Sequence, residues 1–237
     1  MKILALETSA KAASAAVIED GRVVCSAYQS TGLTHSRTLM PMVKAMLENA
    51  DLIAADMDAV AVAKGPGSFT GIRIGVAAAK GLAYAIGKPI AGVSTLEAMA
   101  GNVAWAGGRI ICAMDARRNQ VYNAVFDSCG GQLVRLVPDR AIGLDLLADE
   151  LKNDKSPKIV VGDGAHLCYN YLSENGISCR LAPPHLILQN AVSVGLAAEQ
   201  IARSGGLQSP QELVPAYLRL SQAERERNER LKKEQSK

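Results

Sequence analysis

The chain has 237 residues, 49% of them hydrophobic, 21% charged and only 4% aromatic, with a formal net charge of +3. That length accommodates one large domain or two lobes of roughly 100 residues each, with a core built from Ala, Val, Ile, Leu and Met. Six basic and four acidic residues crowd into Glu224 to Lys237, so the rest of the chain is nearly neutral and lacks the basic, aromatic-studded stripe of a nucleic-acid binder.

The five cysteines are odd in number, widely spaced and without a C-x-x-C pair, which reads as free thiols. There is neither a signal-like start nor an uninterrupted apolar run of about 18 residues. The expectation is a cytoplasmic protein with no membrane association.

From Ile3 to Val24, "ILALETSAKAASAAVIEDGRVV" reads as a buried strand, a polar turn at Thr8 to Ala12, a second strand, a tight turn at Glu19-Asp20-Gly21 and a third strand. "LMPMVKAMLENA" then places Leu39, Met40, Val43, Met46 and Leu47 on one helical stripe. "DAVAVAKGPGSFTG" is a strand and a glycine loop, followed by a helix over Gly71 to Ile86.

The loop Gly65-Pro66-Gly67-Ser68-Phe69-Thr70-Gly71 precedes a helix N-terminus, where free N–H groups and the helix dipole favour an anion. It is not a Walker A loop, because Ile72 and Arg73 stand where Lys and Ser/Thr are required, and its spacing is not that of a dinucleotide fingerprint. Two readings stand: a structural turn, or a ligand-facing loop in which Gly65, Gly67, Ser68, Thr70, Gly71 and Arg73 meet an anion or nucleotide. In the following helix Gly75, Ala79 and Ala83 recur every four residues, so something packs there closely. That face serves either its own lobe or a protein interface shared with the Leu39 to Leu47 helix.

About 108 positions on, the same grammar returns in "ICAMDARRNQVYNAVFDSCGGQLV", with Asp115 in the place of Glu7. "GLDLLADELKN" repeats the helix through Leu144, Leu147 and Leu151, and "KIVVGDGAHL" repeats the strand and glycine loop before a helix at about Ala165 to Glu174. The order strand-strand-strand-helix-strand-helix, stated twice, predicts an α/β fold of two duplicated lobes with ligands between them. The expected divisions are residues 1–103, residues 104–219 and a charged tail, residues 220–237. This architecture resembles that of the actin, sugar-kinase and chaperone-ATPase superfamily, in which acidic hairpin turns address a nucleotide's phosphates and metal.

Glu7 and Asp115 end their first strands, where paired carboxylates serve as metal ligands or water activators, or as turn acids. The three histidines, His35, His166 and His185, have no metal-binding helical spacing, and no nucleophile–base set is evident. No catalytic or metal residue is therefore assigned.

"ILALETSAKAASAAV", "THSRTLMPMVKAML", "AVAKGPGSFTGIRIGVAAAKGLA", "GVSTLEAMA", "MDARRNQVYNAVF", "GDGA" and "LVPAYLR" together resemble the bacterial TsaB (YeaZ) family, over Met1 to about Arg219. The resemblance implies a non-catalytic partner of the TsaD carbamoyltransferase, acting with the ATPase TsaE to make threonylcarbamoyladenosine on tRNA. It implies contact with tRNA mainly through the complex, no cofactor in the isolated chain, a nucleotide at the partner interface and a candidate homodimer when alone. TsaD carries a metal motif, N-H-x-x-G-H; here the corresponding residues are Ser94, Thr95, Leu96, Glu97, Ala98 and Met99, without either histidine. The resemblance also favours an interface on the helices at about Ser36 to Ala50 and Gly71 to Ile86. Two other classes stay open: a nucleotide-dependent phosphotransferase, which ATP turnover by the chain alone would reveal, and a metallopeptidase, for which the sequence supplies no metal site.

Overall fold

The computed structural model describes residues 1–219; the charged tail assigned from sequence, residues 220–237, lies outside them. β1 (Lys2–Glu7), β2 (Ala13–Glu19) and β3 (Arg22–Gln29) form the expected antiparallel meander, with Lys2 opposite Glu19 and Glu7 opposite Ser14. Asp20 and Gly21 both take positive φ in the connecting turn, which explains a short acid followed by glycine there.

α1 (His35–Glu48), β4 (Ala59–Gly65), α2 (Phe69–Ala85), β5 (Ile90–Ser94) and α3 (Thr95–Gly101) follow. The sheet order is β3-β2-β1-β4-β5, with β4 parallel to β1. β1 and β4 are apolar on both faces because both faces of the sheet are covered.

The second half repeats the plan with β6 (Gly108–Asp115), β7 (Gln120–Cys129), β8 (Gln132–Gly143), α4 (Leu144–Leu151), β9 (Lys158–Val161), α5 (Ala165–Glu174) and β10 (Arg180–Leu181). Its sheet runs β10-β9-β6-β7-β8, which is the first order read from the other edge. Leu144, Leu147 and Leu151 all turn inward.

The lobes are not contiguous in sequence, which corrects the division at residue 104. α6 (Ala191–Arg203) returns to the first sheet, packing Ala191, Val194 and Ala198 with Ile3, Ala5 and Val93. Its Gly195 sits so close that an added Cβ would lie 2.3 Å from Ile18 Cγ1. α1 and α2 cover one face of this sheet, and α6 covers the other.

The small-residue face of α2 serves its own lobe. Gly75, Ala79 and Ala83 are buried, and a Cβ on Gly75 would lie 2.2 Å from Thr8 Oγ1 and 3.5 Å from Val62 Cγ2. Leu39, Val43, Met46 and Leu47 of α1 join the same core, while Met40 stays exposed. Of the eight residues assigned from sequence to a partner interface, seven are thus core residues, because an amphipathic stripe first satisfies the sheet beneath it.

Two helix glycines of α2 should respond oppositely to alanine. Gly75→Ala should destabilise the fold by about 1–3 kcal/mol, the usual cost of overpacking. Gly81→Ala, where an added Cβ meets nothing within 4 Å, should stabilise by about 0.5–1 kcal/mol through helix propensity. Urea denaturation of both variants checks the pair; equal shifts would contradict this packing.

Candidate functional site: a cleft between the lobes

The turns after β1 and β6 both line a cleft of about 610 Å³ between the lobes, with Ser9, Lys11, Ser68, Asp115 and Asp163 among its residues. On the first lobe the floor is the turn Thr8-Ser9 and the glycine loop. Gly67 has φ 155°, and a Cβ there would lie 2.4 Å from Ser9 O. A Cβ on Gly71 would lie 2.1 Å from Thr8 O.

These contacts use groups that an anion would need. Ser68 N donates to Ser9 O at 2.7 Å, and Gly71 N donates to the Ser68 hydroxyl, which caps α2, at 3.2 Å. Gly65 lies under the carbonyl of Ala216, 2.3 Å from where its Cβ would be. Arg73 stacks its guanidinium 3.8 Å from the centre of the Phe69 ring and donates through Nε to the Tyr217 hydroxyl at 3.0 Å. Gly67 and Ser68 line the cleft, whereas Thr70 faces a separate groove beside the β3–α1 loop. For Gly65, Gly71 and Arg73 the observed contacts are those of the structural reading.

The acids also pair differently from the sequence reading. Glu7 is wholly buried; its Oε1 accepts from Ser9 N, and its Oε2 has no protein partner. Burial pushes its carboxyl up to about 7, opposed by the hydrogen bond from Ser9 N and reinforced by the charge of Asp163. Asp115 is partly exposed and accepts from Arg117 N at 2.7 Å, with the Arg117 guanidinium 3.5 Å away. Asp163, not Asp115, is therefore the acid that acts on Glu7.

Asp163 accepts from Gln189 Nε2 at 3.0 Å, and burial, joined by the charge of Asp115, raises its pKa. Gln189 Oε1 and Ser9 Oγ are buried without partners, so oxygen atoms dominate this junction. Lys11, Arg117 and Arg219 supply positive charge around it. Sequence reasoning missed Asp163, Gln189 and Lys11. The available signal was the "GDGA" turn, which occupies in the second half the place that the glycine loop holds in the first.

A family model described as tRNA N6-adenosine threonylcarbamoyltransferase, TsaD, matches residues 29–226. The tRNA threonylcarbamoyladenosine biosynthesis protein TsaB of Bacillus subtilis is 33% identical over 94% of this chain and 96% of its own length. The chain belongs to the TsaB family. The Escherichia coli TsaB is 40% identical over 53% of this chain and 55% of its own length. A Pseudomonas aeruginosa structure with similarity to the peptidase YEAZ superposes with a TM-score of 0.81 at 27% identity, covering 92% of this chain and 99% of that one. Component A of the Acidaminococcus fermentans (R)-2-hydroxyglutaryl-CoA dehydratase, at 13% identity and a TM-score of 0.50 over 86% of this chain and 99% of that one, shares the fold alone.

In this TsaB-family chain, the segment Ser94 to Met99, which the resemblance sets against the TsaD metal motif, is largely packed into the interior. Thr95, Leu96 and Met99 are buried, and Met99 Cε lies 3.2 Å from the Cβ position of Gly162. Ser94 caps α3 through Glu97 N at 3.2 Å and donates to Asp139 of the second lobe at 2.6 Å. Glu97 pairs with Arg135 at 2.8 Å. Among the described residues no group of three or more His, Cys, Asp or Glu is arranged to hold a metal ion.

Glu7 should give this fold a measurable pH dependence. Its carboxyl titrates near 7 when folded against 4.5 when free, so the folded state binds the proton more tightly. The stability it contributes is complete below pH 4.5 and is lost as pH rises through 7, by about 3 kcal/mol at 1.36 kcal/mol per pKa unit. Asp163 acts in the same direction, so the informative quantity is the difference between wild type and Glu7→Gln. That difference should shift in favour of the variant between pH 5 and pH 8 in urea denaturation, and a flat difference would contradict the burial of the acid.

Proposed function

We propose that this chain is a non-catalytic subunit in the formation of threonylcarbamoyladenosine on tRNA, binding and supporting a TsaD-like carbamoyltransferase together with a TsaE-like ATPase. The observation that carries the reading is the pairing of a transferase-family frame with a filled catalytic position. Thr95 and Met99 stand where that family's metal motif has imidazoles, and both are buried core residues. Neither side chain offers the imidazole nitrogen that a pair of histidines would supply to a borderline metal.

The surface offered to the partner is the outward side of α1 and α2. After the core stripe is subtracted, the exposed residues of this side include Met40 on α1 and Ala77 and Tyr84 on α2. Met40 and Tyr84 are large apolar groups in water, the kind that interfaces cover, and methionine adapts to an irregular partner. When alone, the chain covers the same surface with a second copy. It has no cofactor of its own; a nucleotide belongs at the partner interface, and tRNA is met mainly through the complex. The reading places the protein in the cytoplasm, and no helix among the described residues is long and apolar enough to cross a membrane.

Ala77→Arg and Met40→Asp should each reduce co-purification with the organism's TsaD-like subunit at least tenfold. Both should leave the melting temperature within about 2 °C, because neither side chain contributes to the core. Reconstituted tRNA modification should fall in parallel. Wild-type pairing by both variants would remove this surface from the interface, and ATP turnover by the repurified chain alone would favour a phosphotransferase instead.

A further inference from the structure

After α6 the chain runs back across the first lobe in two unlike parts. The first part is anchored. Gln208 and Ile90 exchange two backbone hydrogen bonds, at 2.9 and 3.0 Å. Leu213 is 1% exposed and fills the space above Gly92, 2.5 Å from where a Cβ would sit. Lys80 Nζ donates to the carbonyls of Leu213 and Gln211, at 2.9 and 3.3 Å.

The second part starts at Val214, which is 68% exposed, and among the described residues is held by three ties. Ala216 N donates to Lys64 O at 2.7 Å. The Tyr217 ring lies 4.7 Å from Phe69, with the Arg73 guanidinium over the opposite ring and its Nε bonded to the Tyr217 hydroxyl. Arg219 Nη1 donates to Ala116 O at 2.6 Å, crossing to the second lobe. Residues 216 to 219 form a wall of the interlobe cleft.

We propose that residues 214–219 are a releasable strap that closes the cleft, with the Phe69–Arg73–Tyr217 stack as its latch and Val214-Pro215 as its hinge. The distal part buries no large apolar side chain in the core, whereas Leu213 does. Among the described residues its opening therefore costs one backbone hydrogen bond, a stack that is 40% exposed at Tyr217, one rim hydrogen bond and the partial burial of Pro215, Ala216 and Leu218, less than unfolding the lobe. Release removes the carbonyl of Ala216 from above Gly65, unties Arg219 from the second lobe and opens the side of the cleft nearest Ser68. Arg73 lies on the exposed side of α2, so an acidic group that draws its guanidinium away shifts the strap toward the open state from outside.

NMR-detected amide exchange on the full chain tests the strap, using wild type, Tyr217→Ala, Arg73→Ala and the control Tyr84→Ala. In the wild type the Ala216 amide should exchange at least 10-fold faster than that of Gln208, since only the former opens with the strap. Tyr217→Ala and Arg73→Ala should each speed Ala216 a further 10-fold or more, leaving Gln208, Ile90 and β1 unchanged; Tyr84→Ala should do nothing. A neutral gadolinium chelate should broaden the Gly67 and Ser68 amides more in the two latch variants than in wild type. Equal wild-type exchange at Ala216 and Gln208, an unmoved Ala216 in the latch variants, or unmoved broadening at Gly67 and Ser68 would each overturn the proposal. So would a parallel rise at Gln208 and β1, which would make the segment part of the global fold.

Discussion

Three glycines spaced four apart set the geometry of this molecule. Gly67, Gly71 and Gly75 lie against the Thr8-Ser9 turn, with Cβ positions 2.4, 2.1 and 2.2 Å from Ser9 O, Thr8 O and Thr8 Oγ1. No side chain fits at such separations, so the loop and the first turns of α2 are seated on the end of β1 backbone to backbone. Thr8 completes the seat by donating its hydroxyl to Gly71 O at 2.8 Å. This contact fixes where α2 begins, how its outer face is turned and where the floor of the cleft lies. Only then do Phe69 and Arg73 stand where Tyr217 can stack on them.

The same closeness engages amides of a loop that otherwise has phosphate-binding features. An anion site needs amides that are free and convergent. Here the Ser68 amide is bonded to Ser9, and the Gly71 amide to the Ser68 hydroxyl. What remains polar and unsatisfied has moved one layer deeper, to Glu7, Ser9 and Gln189. That burial raises the Glu7 carboxyl and couples it to Asp163 from the other lobe, so the junction between the lobes is electrostatic as well as steric.

The duplication shows how one frame carries different duties. The two sheets share a strand order, yet the segment after β5 has become a brace: Ser94 and Glu97 reach Asp139 and Arg135 across the lobes, and Arg135 lies 4.6 Å above Phe126. Thr95, Leu96 and Met99 pack into the interior behind this brace, so α3 is held rigidly from both sides.

Residue pattern alone determined the meander, the two helices and the strand and loop between them in each half, and their duplication, because side-chain periodicity follows directly from which faces are covered; β5, α3, β10 and α6 were not read from it. It also determined family membership, through glycine and motif spacings that the backbone of the β1–loop–α2 seat requires. What covered each face was decided only by the tertiary structure. The spacing of Gly75, Ala79 and Ala83 demanded a close neighbour but could not say whether it was Thr8 and Val62 or another protein. Glu7 seemed matched with Asp115 by repeat symmetry, yet Asp163, 156 positions away in the chain, is the acid whose charge helps raise its carboxyl. α6 likewise crosses back to Ile3 and Ile18. Those pairings join residues far apart in sequence, and local periodicity reports that a surface is buried without identifying what buries it.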